Sequence, residues 1–312
     1  FMEAETPKTP MLNWQIPAVT PPWKKDFHSI YLELLGCQIR IVNGEKYQTR
    51  VIEAGTGKPL ILLHGVGGTA ESWFRNVMRL SQHFHVCAID SLFHGFSSKQ
   101  SANSQNRLDS QTEHVLDFMD AMSFKKAHIE GESMGAAIGF ELALKHPDRV
   151  DKLILNTASP ITRHLEQPTF EPFFKSPESL KILSDAALGK ATERTIRTRL
   201  EWLMTTPDRV VDELVELRLK YYSMPEIQAA QSGIPPTSSE RRPYDDDLPR
   251  ITVPTLVFWS EFNPDGGPDR GEYLARQIPN AEYYCMLDAA HWPQYEHPEE
   301  HDSVVTKFLL SS

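Results

Sequence analysis

The chain has 312 residues, of which 40% are hydrophobic and 24% are charged. That length is enough for one large α/β domain, or for a core domain that carries an inserted cap. Its 42 acidic residues outnumber its 32 lysines and arginines, for a formal charge of −10, and we exclude nucleic acid as a partner because such a surface repels phosphate backbones.

The cysteines and the apolar segments indicate where the protein works. Cys37, Cys87 and Cys285 are far apart and lack metal-ligand spacing, so we expect buried thiols in a reducing compartment rather than a disulfide framework. No apolar run approaches a membrane span, and residues 1–25 lack the layout of a signal peptide. We therefore expect a cytoplasmic protein with no membrane partner.

The first half of the chain predicts an arm followed by strands that alternate with helices. Residues 1–27 are rich in proline and have few periodic apolar positions, which indicates an extended N-terminal arm. Apolar residues at helical spacing predict a helix over residues 108–122. Short alternating or continuous apolar runs predict strands at 30–34, 38–42, 48–53, 59–63, 84–90, 127–129 and 152–156.

The second half first departs from this pattern and then returns to it. From Ser159 to Asp247 the chain is rich in helix formers and has no strand-like run, so we expect a helical lid over residues 159–247. Strands alternating with helices form a mostly parallel sheet with helices on both faces, so residues 28–158 and 248–312 predict an α/β core. The expected lid helices lie near 179–188, 193–204 and 208–222; the later core elements are strands at 254–259 and 282–286 and helices at 271–277 and 298–310.

Ser133 lies in a strand–turn–helix pattern that matches G-x-S-x-G. Gly131, Gly135 and Ala136 flank it, as expected for a serine on a sharp turn that leaves no room for bulky neighbours. The helix that follows directs its N-terminal N–H groups at the serine, where they stabilise negative charge. A structural turn that contains a serine by chance is the alternative interpretation.

A glycine-rich turn, His64 to Gly68, follows the apolar run at 59–63. Backbone N–H groups that no side chain shields can hold an oxyanion, and we expect those of Val66 and Met134 to do so, each contributing roughly 3 kcal/mol. Gly65 lies in the same turn and is a candidate substrate contact. A plain strand-to-helix turn is again the alternative.

The order of these motifs resembles the α/β-hydrolase fold along almost the whole chain after the arm. Within that fold the chain is similar to the meta-cleavage product hydrolases, which break a carbon–carbon bond in ring-opened aromatic dienoates. The segments that carry the resemblance are His64-Gly65, Asp90 with Gly95-Phe96-Ser97, the Ser133 turn, Trp73–Val77, His146–Leu155, Glu213–Arg218, Trp259–Asn263 and His291–Pro298.

The resemblance implies a set of site residues. A serine hydroxyl needs a base to take its proton, and His291 matches that base by its place in the chain order. Arg218 lies where the family carries a carboxylate-binding arginine; a solvated helix charge is its alternative interpretation. Trp292 is a candidate to line an apolar substrate pocket, or to pack the lid on the core.

Two positions depart from the family. Asn263 aligns with the catalytic aspartate, and an asparagine can orient His291 but cannot offset an imidazolium charge, an exchange that costs a serine protease about four orders of magnitude. Asp265 could reach His291 instead, Asn263 could be an engineered substitution, or the reaction could tolerate a weakened triad. Glu132 replaces the usual asparagine beside the nucleophile, as a structural residue, a substrate contact or a carboxylate that tunes a pKa.

The sequence therefore predicts a serine hydrolase that cleaves a small apolar carbonyl compound, either the C–C bond of a vinylogous diketone or an ester, through an acyl-enzyme or gem-diol intermediate. A non-hydrolytic relative (lyase, cyclase or ligand binder) is the alternative, because Asn263 weakens the triad. Epoxide hydrolases and haloalkane dehalogenases are disfavoured, since they carry an aspartate where Ser133 lies. We expect no cofactor and no metal, and the sequence leaves open a homodimer.

Overall fold

The computed structural model describes residues 29–100, 106–158, 191–233 and 245–311, together with Pro177 and Lys181. At its centre is an eight-stranded sheet in the order β1-β2-β4-β3-β5-β6-β7-β8. The first two strands are antiparallel to their neighbours, and the rest are parallel. The strands are β1 (Gln38–Asn43), β2 (Gln48–Ala54), β3 (Pro59–Leu63), β4 (His85–Ile89), β5 (Ala127–Glu132), β6 (Val150–Asn156), β7 (Thr255–Ser260) and β8 (Ala281–Met286).

Helices cover both faces of this sheet and enclose two apolar cores. The described helices are α1 (Ile30–Glu33), α2 (Val77–Leu80), α3 (Arg107–Ala121), α4 (Met134–Lys145), α5 (Glu193–Trp202), α6 (Asp212–Tyr222), α7 (Pro225–Gly233), α8 (Pro268–Gln277), α9 (Pro293–Glu296) and α10 (Pro298–Leu310). One core lies under α2, α10 and α5 to α7, and the other under α3, α4 and α8, as expected where parallel strands are apolar on both faces.

The predicted α/β architecture is therefore confirmed, with a mostly parallel sheet between two helical layers. Among the described residues, no helix combines the length and the apolar character needed to cross a bilayer. All three cysteines are free thiols, but only Cys87 is buried; Cys37 and Cys285 are half-buried, so the expectation that all three are buried was wrong.

The strand predicted at residues 30–34 is wrong, because this segment forms the single helical turn α1. The backbone N–H of Leu34 donates to the carbonyl of Ile30 at 3.1 Å, and the N–H of Ile30 donates to Glu213 Oε2 at 2.8 Å. Ile30 and Leu34 are both buried, at a spacing of four that fits a helix and an alternating strand equally well. Five residues are too few to separate the two periods.

The helices α5 to α7 come between β6 and β7 in the chain, where the lid was expected. Tyr222 donates to the carbonyl of Gly67 at 2.9 Å, and the N–H of Thr205 donates to Glu296 Oε1 at 2.7 Å. This helical segment is thus bound to the core on two sides. The lid limits of 159 and 247 stay a prediction, and the arm at 1–27 and most of the helix expected at 179–188 lie outside the described residues.

Candidate active site

Ser133 is held on a strained turn between β5 and α4. Its φ and ψ are 53° and −113°, a backbone conformation that side chains rarely adopt. A Cβ on Gly131 would lie 2.1 Å from the backbone of Gly135, and one on Gly135 would lie 2.2 Å from the carbonyl oxygen of Leu63. The two glycines are therefore required by the tight approach of β3, β5 and α4, which is the mechanical basis of the G-x-S-x-G pattern.

The turn after β3 is held by the lid. Arg199 donates to the carbonyl of Val66, and Tyr222 donates to that of Gly67. The N–H of Gly68 closes the turn on the carbonyl of Gly65 at 3.0 Å. Met134, the other expected oxyanion donor, is the first residue of α4, so its N–H belongs to the helix start, where no intrahelical acceptor exists.

His291 and Ser133 are bound to adjacent residues at the end of β6. The N–H of Ser133 donates to the carbonyl of Asn156 at 3.1 Å, and Thr157 Oγ1 donates to the carbonyl of His291 at 2.9 Å. The N–H of His291 also donates to the carbonyl of Leu203 in the lid at 3.0 Å. Both chain segments are thus fixed at the carboxyl end of the sheet, where open α/β folds place their ligands.

The structure places Asn263, rather than Asp265, on the imidazole. Asn263 Oδ1 lies 2.7 Å from His291 Nδ1, and Asn263 is fully buried. The Asp265 carboxylate faces Arg270, with Oδ1 at 3.9 Å from Nη1, while the Asp265 N–H donates to Asn263 Oδ1 at 3.3 Å. Because that oxygen accepts both bonds, Nδ1 carries the imidazole proton and Nε2 is the acceptor nitrogen.

Burial makes His291 a weak base. It is 4% exposed, and burial, reinforced by the charge of Arg199, lowers its pKa to about 3. Asn263 is neutral and does not oppose this shift. The imidazole therefore enters the reaction as the neutral form that a general base requires.

Glu132 contacts the other nitrogen of that imidazole. Its Oε1 lies 3.2 Å from His291 Nε2, and its Oε2 accepts from the N–H of Gly65 at 2.7 Å. A Cβ on Gly65 would lie 2.4 Å from Oε2, so the glycine makes room for this carboxyl. Burial raises the pKa of Glu132 to about 8, although Arg218 and Arg199 act against the shift.

Arg218 is a buried guanidinium at the edge of a narrow cavity. It is 3% exposed, and its guanidinium carbon lies 4.8 Å from the ring centroid of Trp292. Burial, together with Arg199, lowers its pKa to about 10. Among the described residues it has no hydrogen-bond acceptor. The cavity is lined by Gly67, Gly68, Thr69, His94, Gly95, Arg218, Tyr221, Tyr222 and Ile227.

Both ring nitrogens of His64 bond to the backbone. Its Nε2 accepts from the N–H of Ser91 at 3.0 Å, and its Nδ1 lies 2.8 Å from the carbonyl oxygen of Gly65. Burial lowers the pKa of His64 to about 4, which keeps the ring neutral. Its task is to hold the turn after β3.

Two residues of the site escaped the sequence interpretation. Arg199 reads as an ordinary solvated charge on an amphipathic helix, and nothing local marks it as the residue that contacts Val66. Thr157 follows an apolar strand, and its hydroxyl is assigned a partner only once His291 is placed beside it. Both contacts depend on the lid and the last loop folding back onto the sheet.

Comparison with known proteins identifies the fold family. Residues 58–298 match a family model described as the alpha/beta hydrolase fold. The chain is 26% identical to a 2-hydroxy-6-oxononadienedioate/2-hydroxy-6-oxononatrienedioate hydrolase of a Pseudomonas species, over 83% of this chain and 90% of that protein. It is 28% identical to a 2-hydroxy-6-oxo-6-(2'-aminophenyl)hexa-2,4-dienoic acid hydrolase of Metapseudomonas resinovorans, over 86% and 90%.

Solved structures share the fold. A meta-cleavage product hydrolase of Pseudomonas fluorescens superposes with a TM-score of 0.73 at 24% identity, covering 88% of this chain and 98% of that one. A bacterial membrane phospholipase A superposes with a TM-score of 0.76 at 23% identity, over 89% and 88%. Two such different activities at similar scores show that these likenesses establish the architecture and leave the substrate to be argued from the site.

Proposed function

The chain belongs to the alpha/beta hydrolase fold family, and we propose that it is a serine hydrolase whose substrate carries both a reactive carbonyl group and a carboxylate. The observation that carries the substrate class is the buried guanidinium of Arg218. Burying a guanidinium without an acceptor is unfavourable, and a substrate carboxylate would supply two parallel hydrogen bonds to it. Trp292, stacked on the guanidinium, would support an apolar part of the same molecule.

The reaction begins with proton transfer from Ser133 to His291 Nε2 as the serine oxygen bonds to the substrate carbonyl carbon. Asn263 holds the imidazole in the orientation and tautomer that this transfer needs. The N–H groups of Val66 and Met134 stabilise the oxyanion, each contributing roughly 3 kcal/mol. The expected strain at Ser133 presents its hydroxyl at the top of the turn.

A vinylogous diketone is the favoured substrate because it is acidic and because the curated relatives are named as hydrolases of hydroxy-oxo-dienoates. The bond between the carbonyl carbon and its neighbour breaks, its electron pair enters the dienolate, and the imidazolium proton passes to that fragment. Water, activated by His291, then releases the acid from Ser133. A carboxylate-bearing ester would follow the same steps with an alcohol as the leaving group.

The test is covalent labelling followed by turnover. A fluorophosphonate probe is expected to label the wild type but not Ser133→Ala, and a 2-hydroxy-6-oxo-dienoate is expected to be consumed faster than a neutral ester of similar size. Well-folded wild-type protein that takes up no label would contradict the proposal.

One observation keeps a non-hydrolytic activity as the second candidate. The residue on His291 Nδ1 is the neutral Asn263, which removes the charge that a hydrolytic triad normally supplies. A lyase or cyclase that only moves protons needs less of that charge. Consumption of the dienoate without a labelled Ser133 would favour this candidate.

A further inference from the structure

The site contains a carboxyl group that the steps above do not use. Glu132 Oε1 lies 3.2 Å from His291 Nε2, which is the nitrogen that must receive the proton of Ser133. Glu132 Oε2 is fixed by the N–H of Gly65 at 2.7 Å, so the carboxyl cannot turn away without losing that bond. The side chain is 1% exposed, and its Oε1 is in direct contact with the imidazole.

The groups that surround Glu132 come from four parts of the chain. Arg199 and Arg218 approach it from the lid helices α5 and α6, His291 and the indole of Trp292 from the loop after β8, and the N–H of Gly65 from the turn after β3. The arginines favour the carboxylate, whereas burial favours the neutral acid. Burial prevails, with a pKa of about 8, so Glu132 holds its proton at neutral pH.

The contacts of His291 and Glu132 then indicate where their protons lie. Nδ1–H of His291 donates to Asn263, which leaves Nε2 as an acceptor. Glu132 Oε2 accepts from the N–H of Gly65, and Glu132 Oε1 lies 3.2 Å from Nε2 without a hydrogen bond to it. At this distance a neutral Glu132 offers no charge to the imidazole. An ionised Glu132 offers a negative charge to the imidazolium that forms when Nε2 takes the proton of Ser133.

We propose that Glu132 controls His291 by its own protonation: the acid form gives the imidazole no counter-charge, and the carboxylate form, with Oε1 3.2 Å from Nε2, pairs with the imidazolium. The inference rests on the proposed serine mechanism. The Glu132 proton leaves to solvent before the reaction; then the Ser133 O–H bond breaks, the serine oxygen bonds to the substrate carbon, and the transferred proton resides on Nε2. The carboxylate thereby supplies the negative charge that Asn263 lacks, from the opposite side of the ring.

The experiment is the pH dependence of Ser133 labelling by a fluorophosphonate probe, from about pH 6 to about pH 10. In the wild type the labelling rate is expected to rise about tenfold per pH unit and to level off near the pKa of about 8. Glu132→Gln keeps an acceptor for Gly65 but never carries a negative charge. Its rate is expected to be independent of pH and roughly 100-fold below the wild-type plateau.

Two further variants separate this role from a structural one. Glu113→Gln removes a carboxylate of α3 that bonds Tyr47 and Lys46 far from the site, and it is expected to keep the wild-type profile. Gly65→Ala places a Cβ against Glu132 Oε2 and is expected to shift the midpoint without removing the carboxyl. If Glu132→Gln retained the wild-type midpoint, the inference would be overturned.

A second readout does not depend on activity. The infrared spectrum of the wild type at about pH 6 is expected to contain the C=O stretch of a protonated buried carboxyl that Glu132→Gln lacks and that disappears on titration through about pH 8. An ionised Glu132 at about pH 6 overturns the inference whatever the labelling shows. Absence of labelling together with this carboxyl signal overturns the serine mechanism, and with it the catalytic role, but leaves the assigned protonation standing.

Discussion

Strand β5 carries two glutamates, two residues apart, and each meets a histidine with opposite consequences. Glu130 Oε1 lies 2.7 Å from Nε2 of His301, and Glu132 Oε1 lies 3.2 Å from Nε2 of His291. The two histidines differ in the group that faces Nδ1. His301 Nδ1 faces the carboxylate of Asp302 at 2.9 Å, whereas His291 Nδ1 faces the amide oxygen of Asn263 at 2.7 Å.

The groups around each histidine decide its protonation. Burial opposes the charge of His301, but Glu130 and Asp302 prevail and raise its pKa to about 9. His291, with a neutral partner and Arg199 nearby, has its pKa lowered to about 3 by burial. The same pair of residue types is therefore a charged structural bridge in one place and a neutral, reactive pair in the other.

The largest predicted effect comes from removing Glu130 from the structural cluster of Glu130, His301 and Asp302. Glu130→Gln is expected to lower the free energy of unfolding by about 3–5 kcal/mol, because it removes one partner of a buried ion pair. Glu132→Gln is expected to raise it by roughly 3 kcal/mol at neutral pH, because glutamine is buried neutral without first taking up the proton that Glu132 needs. Urea unfolding of the two variants measures the difference. Equal losses would contradict the assignment of opposite charge states.

The second prediction concerns Arg218, one of the two arginines beside Glu132. Arg218→Met is expected to lower the ratio of kcat/KM for an acidic dienoate to kcat/KM for a neutral ester by roughly 10- to 100-fold, the value of a charge-assisted hydrogen bond. Arg218→Lys keeps the charge and loses the bidentate geometry, so its ratio is expected to lie between those of the wild type and Arg218→Met. An unchanged ratio in Arg218→Met would remove the carboxylate from the substrate model.

The third prediction concerns a variant in which His291 Nδ1 faces a carboxylate, as His301 Nδ1 does. Asn263→Asp supplies His291 with the charge that Asp302 supplies to His301, and it is expected to raise turnover at neutral pH at least about tenfold. The labelling rate of this variant should depend less on the ionisation of Glu132, so its rise with pH should become shallower. No gain in steady-state turnover would show that Asn263 is not the weakened acid position.

The smallest effect is on stability as a function of pH. Both His301 and Glu132 have folded pKa values above their unfolded ones, so both bind more protons when folded. The contribution of His301 is complete below its unfolded value of about 6.5 and is lost as pH rises through about 9. That of Glu132 is lost as pH rises from about 4.5 through about 8.

The free energy of unfolding is therefore expected to fall as pH rises above about 7, by up to roughly 1.4 kcal/mol per pH unit for each group. Glu132→Gln removes only its own share, which ends near pH 8, and leaves that of His301. Urea titrations at several pH values, with Glu113→Gln as the matched control, separate the two. A wild-type stability that rises over this interval has the wrong sign for the account.

The features predicted from sequence are those that local constraints impose. The glycines around Ser133 are required by the backbone contacts they make, and apolar runs buried on both faces predict a parallel sheet. Asn263 could be aligned from sequence because its loop follows β7 without a gap, and its Oδ1 lies 2.7 Å from His291 Nδ1. The strand predicted at 30–34 was wrong because five residues are too few to distinguish the helical period from the strand period.

The electrostatics of the site could not be predicted in this way. The sequence marks Glu132 as the neighbour of Ser133 but does not show which histidine partner is charged. The different states of His291 and His301 depend on Asn263, Asp302 and Arg199, which lie far from β5 in the chain. The contact between Arg199 and Val66 likewise arises only when the lid folds onto the core. Buried charge depends on every group packed around it, which a linear pattern does not contain.

The central claim is tested most directly by following a purified 2-hydroxy-6-oxo-dienoate with wild-type protein, Ser133→Ala and His291→Ala. The account predicts that the wild type cleaves the dienoate and forms a covalent adduct at residue 133, whereas both variants lose activity by roughly 1,000-fold or more. Ser133→Ala protein that cleaves the dienoate at the wild-type rate would contradict it.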